Sequence, residues 1–221
     1  MSESDNTIYL CGMTGVAVDG LAIVHPEDAP SFDKLPGHTM SRSGRMVDKI
    51  VLHWDVCMSS EQCYRVLAER NLSIHFTIAQ DGQVVQWLPL AAAAYHAGSI
   101  GYNRRSIGIE INNPYYQKYQ KTKYGEGRNL VSDKLPHSGK LHRYLDFTAE
   151  QKVSALLLCH ALCDILHLRK TFALATGLAD AGVIRKSTVV GHYHISRAKI
   201  DPGFTLWPVL ESGGFEPISS G

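Results

Sequence analysis

Net charge is nearly absent from this chain: 22 Lys and Arg stand against 21 Asp and Glu, leaving a formal +1 over 221 residues. A near-neutral chain without a basic cluster has no electrostatic footprint for nucleic acid, so no nucleic-acid partner is expected. Long apolar runs are also missing. The first residues, Met1 to Thr7, are polar and acidic where a secretory leader would be basic and then apolar. The expectation is a product with no signal segment, no membrane span and a start in the cytoplasm. Cysteine is scarce, and Cys11, Cys57, Cys63, Cys159 and Cys163 are too unevenly placed for a disulfide framework. No internal repeat occurs. What remains is an ordinary globular composition, 44% hydrophobic and 19% charged. Its length suits a single domain, with a core at about 45–212, an insertion at about 114–146 and a loose tail at 213–221. Nothing in the sequence indicates an oligomeric state.

Residues 48–55, Asp-Lys-Ile-Val-Leu-His-Trp-Asp, are β-branched and apolar until their polar end, which predicts a buried strand delivering His53 at its C-terminal end. Ser59-Ser-Glu-Gln62 has the spacing of a capping box and predicts a helix to about Glu69. Two strand-like runs, 74–80 and 83–88, meet through Asp81-Gly82, a strong hairpin signal. Ser106 to Asn112 alternates with period two, putting Ile107, Ile109 and Ile111 on one face and Gly108 and Glu110 on the other. Thr148-Ala-Glu-Gln151 opens the longest helix, and Ser187 to Gly191 is a last strand leading to His192. This mixture predicts an α/β fold with a central mixed β-sheet flanked by helices. Between Pro114 and Asp146 the periodicity vanishes, which marks an insertion or a functional loop.

Eleven histidines are a mild enrichment. A catalytic zinc site takes three ligands from His, Asp, Glu and Cys on a rigid platform and leaves a position open for water. Two strand ends offer such a platform: His53, and His192 followed nine residues later by Asp201. Each histidine taken singly is more often an ordinary core or surface imidazole.

Several segments together carry more. Ile50-Val-Leu-His53, Ile74-His-Phe-Thr-Ile78 with Asp81-Gly82, Tyr95-His-Ala-Gly98, Gly101-Tyr-Asn103, Ser106-Ile-Gly-Ile-Glu110, and Gly191-His192 with Lys199-Ile-Asp-Pro-Gly203 occur in this order. This set resembles the zinc N-acetylmuramoyl-L-alanine amidases, or amidase type 2 family, which share a fold with peptidoglycan recognition proteins. The resemblance implies zinc held by His53, His192 and Asp201, with Glu110 as general base and acid and Lys199 as oxyanion stabiliser. It also implies a peptidoglycan or muropeptide partner, with hydrolysis of the amide joining N-acetylmuramic acid to L-alanine. Some members use a Tyr just before the histidine of the second strand. Here that position is Ile74, so the proton-transfer role falls to Glu110. The segment between His192 and Lys199 is about one residue shorter than in the Glu-using members, which makes His194 a rival ligand. His192 is preferred because Gly191 precedes it at the strand terminus.

The resemblance places His96 toward the groove, to contact substrate or support the site; Asn103 is a substrate-binding candidate or positions the loop entering the Glu110 strand, and His75, between apolar Ile74 and Phe76, is expected in the core or behind the site. Cys57 and Cys63 have the separation of a disulfide in animal recognition proteins, and two reduced thiols fit a cytoplasmic chain equally well. Cys159, Cys163 and His167 share a helical spacing, with leucines between them that favour plain core packing. The insertion tyrosines, Tyr115, Tyr116, Tyr119, Tyr124 and Tyr144, suit either a glycan-facing flap or a solvated loop. A relative that binds the wall without cutting it is the alternative reading of the whole chain.

Overall fold

The computed structural model describes residues 6–11, 14–26 and 39–220. The N-terminal part contributes β1 (Thr7–Cys11) and β2 (Thr14–Ala17), paired antiparallel, then β3 (Ile23–Val24) and β4 (Thr39–Ser41). None of these short strands has a periodic signal long enough to stand out in the sequence. β5 (Lys49–Trp54) is buried throughout, as its apolar run requires. α1 (Ser60–Glu69) starts where Ser59 Oγ accepts the Gln62 N–H. The Gln62 side chain completes the cap one residue earlier than expected, accepting from Met58 N–H.

β6 (Phe76–Ile78) and β7 (Val84–Gln86) pair antiparallel through the Asp81-Gly82 turn. Gly82 there has φ of 85°, a conformation open to glycine, and Asp81 Oδ1 accepts the Gln83 N–H. β8 (Ala92–Ala94) pairs with β4, and α2 (Ile100–Arg105) runs directly into β9 (Ser106–Ile111). The insertion holds β10 (Leu130–Lys134) and β11 (Leu141–Leu145), and after it come α3 (Ala149–Ile165), with a complete capping box between Thr148 and Gln151, and then β12 (Thr171–Ala173). α4 (Ala181–Lys186), β13 (Val189–Gly191), α5 (His192–Ile195) and α6 (Trp207–Ser212) follow.

With β14 (Glu216–Ile218), the main sheet has eight strands in the order β14-β12-β13-β5-β9-β6-β7-β3, parallel except for β6 against β7. Its edge strand β14 corrects the expected loose tail, since it pairs parallel with β12. A three-residue run ending a chain carries too little pattern to announce itself, and the pairing comes from the open edge that β12 offers. Ile107, Ile109 and Ile111 face the same core as Ala155, Leu158 and Leu162 of α3, so the opposite face of β9 is left for chemistry.

The insertion is ordered. A short 3-10 turn (Gln117–Tyr119) precedes an antiparallel hairpin of β10 and β11. Buried Arg128 fastens it, donating from Nη1 to Asp146 O and Gln151 Oε1, from Nη2 to Asn112 O, and from Nε to Tyr124 O, at 2.9 Å each. Truncation to Ala removes all four bonds, although Asn112 O and Gln151 Oε1 keep second donors in Gln151 Nε2 and the Thr148 N–H. Arg128→Ala is therefore expected to lose about 2–4 kcal/mol in chemical denaturation.

Candidate metal centre

Sheet register sets the site. β5 and β9 align His53 with Glu110, and β6 aligns Thr77 with Glu110, so these residues lie in one row across the strands. β13 aligns Gly191 with Leu52, and the next residue, His192, begins α5 at the level of His53. The following loop returns to bring Asp201 back, with Tyr193 N–H bonded to Asp201 O at 3.1 Å.

His53, His192 and Asp201 are all buried, and their ligand atoms converge. His53 Nδ1 lies 3.0 Å from His192 Nδ1 and 3.0 Å from Asp201 Oδ2, and His192 Nδ1 lies 3.1 Å from the same oxygen. Protons do not satisfy this triangle. If both imidazoles donate to Asp201, the two N–H groups collide with each other; if only one does, the other nitrogen is left lone pair against lone pair with the carboxylate. A cation at the centre resolves all three contacts, and ligand atoms about 2.0–2.1 Å from a tetrahedral zinc stand roughly 3.3 Å apart. The donor set therefore fits zinc.

The electrostatics agree. Burial, with His192 as neighbour, pushes the His53 imidazole down to about 4, leaving a neutral ligand. Burial would raise the Asp201 carboxyl, but the adjoining His192 and His53 side chains outweigh it and hold the group well below the usual carboxylate range. Imidazoles bind a metal only in their neutral form, so this donor set would leave a divalent ion with net positive charge.

His194, the rival ligand, is turned away. Its Nδ1 accepts the Gly191 N–H at 2.9 Å and its Nε2 donates to Ala175 O at 3.1 Å, so it caps α5 with both nitrogens occupied. Glu110 lines the same cavity as the three converging residues, and among the described residues its Oε2 has no hydrogen-bond partner. Burial, reinforced by the negative charges of Asp55 and Asp201, raises its carboxyl well above normal, and Lys199 pulls the other way. Lys199 is an exposed residue on the rim of this cavity. Val66 and Leu67 of α1 supply an apolar wall that sequence patterning did not assign to the site.

His96 also lines the cavity, with its Nδ1 3.0 Å from His53 Nε2. Asn103 does not line it: buried, it accepts the backbone N–H groups of His96 and Ala97 on Oδ1, a loop-positioning arrangement. His75 lies in the core, accepting the Gly108 N–H on Nδ1. Cys57 and Cys63 are buried free thiols on the cavity wall. Neighbouring Asp55 is engaged as a loop fastener, accepting the N–H groups of Cys57 and Asn113. Cys159 and Cys163 are core residues while His167 is exposed beyond the end of α3, so they form no metal face.

Tyr115 and Tyr144 are buried and stack 5.7 Å apart, with Trp54 4.8 Å and 5.4 Å from them. These two tyrosines brace the strand that carries His53 and do not face a glycan. The hairpin tip reaches the site indirectly, through His137 Nε2 donating to Lys199 O at 3.0 Å, a contact invisible in sequence.

The family model for N-acetylmuramoyl-L-alanine amidase matches residues 43–204, which span every segment of the site just described. The chain belongs to the N-acetylmuramoyl-L-alanine amidase family.

Solved structures agree on the amidase fold. The amidase AmiD from E. coli, in complex with anhydro-N-acetylmuramic acid-L-Ala-D-γ-Glu-L-Lys, has a TM-score of 0.52 at 18% identity. That match covers 77% of this chain but only 58% of AmiD. The N-acetylmuramoyl-L-alanine amidase LysC from Clostridium intestinale has a TM-score of 0.53 at 16% identity, covering 86% of this chain and 95% of its own. AmpD matches at a TM-score of 0.50 and 18% identity, covering 93% and 99%. No curated protein matches this chain.

Proposed function

We propose that this amidase-family chain is a zinc enzyme that hydrolyses the amide between N-acetylmuramic acid and L-alanine in peptidoglycan or muropeptides. One observation supports the reading above others: the converging ligand atoms of His53, His192 and Asp201 share a cavity with the buried Glu110 carboxyl, whose Oε2 has no hydrogen-bond partner among the described residues. When bound, zinc would supply a Lewis acid for the scissile carbonyl and make water a competent nucleophile near neutral pH.

The chain's own residues do the rest. Glu110 takes a proton from the attacking water as its oxygen bonds to the lactyl carbonyl carbon. As the C–N bond breaks, Glu110 returns that proton to the departing nitrogen of L-alanine, so water is divided between the acid and the amine. A carboxyl raised by burial above its ordinary value is a stronger base than a free carboxylate, which suits this double duty. Lys199, on the cavity rim, offers its ammonium to the oxyanion that forms between the two steps. Val66 and Leu67 exclude water on the α1 side.

Digestion of sacculi, followed by mass spectrometry, tests the reading. Free stem peptides beginning at L-alanine are expected; wall that is bound yet uncut would identify a recognition protein instead. The same assay on small anhydromuropeptides separates a wall lysin from an enzyme of soluble fragments.

A further inference from the structure

We infer that His96 is a positioning residue for the metal centre: its Nδ1 accepts the His53 Nε2 proton, and Ser106 anchors its other nitrogen, so that His53 Nδ1 is kept free for the cation. The inference rests on the metal reading proposed above and adds to it the question of what sets the tautomer of the first ligand.

The hydrogen bonds assign every proton. A neutral His53 that offers Nδ1 to a metal carries its proton on Nε2. That nitrogen lies 3.0 Å from His96 Nδ1, which must then be the acceptor. His96 consequently holds its own proton on Nε2, 3.0 Å from Ser106 Oγ. The Ser106 hydroxyl donates onward to Tyr102 O at 2.6 Å, so its oxygen is available to accept. The chain runs in one direction from the metal ligand to a main-chain carbonyl with no proton left over. Reversed, it would put the His53 proton on Nδ1, inside the triangle where a cation belongs.

The surroundings hold His96 in this pose. Gly108 leaves room for the ring: a Cβ there would stand 2.6 Å from His96 Nδ1 and 2.7 Å from Cγ. A glycine inside a strand marks such a close approach. Asn103 Oδ1 clamps the main chain at His96 and Ala97, at 3.2 Å and 2.8 Å. Three sequence segments, Tyr95 to Gly98, Asn103, and Ser106 to Gly108, thereby act on one imidazole.

Zinc affinity by chelator competition separates an acceptor from a space-filling ring. His96→Phe keeps an aromatic ring but has no acceptor, while His96→Asn places Oδ1 where Nδ1 stands. The Ala and Phe variants are expected to bind zinc about 10- to 100-fold more weakly, with Asn recovering most of the loss. Gly108→Ala, which displaces the ring without touching a ligand, should weaken zinc as well. Thermal melts of the metal-free proteins check folding. A Phe variant that binds zinc like the wild type would overturn the inference. One measurement needs no variant: ¹H–¹⁵N spectra of the zinc-loaded wild type should show His53 and His96 both protonated on Nε2, and a proton on His96 Nδ1 would overturn it equally. A wild type that takes up no zinc at His53 would instead overturn the underlying metal reading.

Discussion

Asp201→Ala is expected to leave the protein folded, free of zinc and without measurable amidase activity. Asp201 is the only carboxylate among the three converging residues, and two imidazoles remain when it is removed. Two ligands of that kind do not hold a divalent ion against water. The loss of affinity should exceed the roughly 10- to 100-fold that removal of an outer partner costs. Asp201→Asn separates charge from shape, since the amide keeps an oxygen but not the negative charge, and it too should lose the metal. Metal content by mass spectrometry after dialysis is the direct reading. Stoichiometric zinc in purified Asp201→Ala would exclude this residue as a ligand, and activity surviving exhaustive chelation of the wild type would exclude a metal enzyme altogether.

Glu110→Gln is expected to do the opposite, retaining one zinc and losing turnover by about 10²- to 10⁴-fold, the range general acid–base catalysis contributes. The amide fills the same space but neither takes a proton from water nor gives one to the amine. Because an unpartnered buried carboxylate costs stability, the variant should be at least as stable as the wild type to heat. A residue that was merely structural would show the reverse pattern, with activity retained and stability lost. Near-normal turnover in Glu110→Gln would remove it from the proton-transfer role.

The parts of this chain legible from residues alone are those whose signals act within a few positions. The apolar run of β5, the alternation of β9, the glycine turn at Gly82 and the cap at Thr148 each result from local sterics and nearby hydrogen bonds, and each falls where it was expected. His53, Glu110, His192 and Asp201 could be singled out because strand ends and ordered motifs mark them. Strands of two to four residues, such as β3, β8 and β14, carry no period to detect; they exist because a neighbouring edge offers unpaired backbone groups.

Orientation was settled by the tertiary structure. Both His192 and His194 are buried at one strand end, and only the start of α5 decides that one faces Asp201 while the other caps Gly191. Tyr115 and Tyr144 look like sugar-stacking residues in sequence, yet burial against Trp54 is where their apolar rings come to rest. Residue types announced which chemistry was available. Which nitrogen, which face and which neighbour depended on contacts between segments far apart along the chain, and His53 meeting His96, Glu110 and Asp201 is the case on which the function turns.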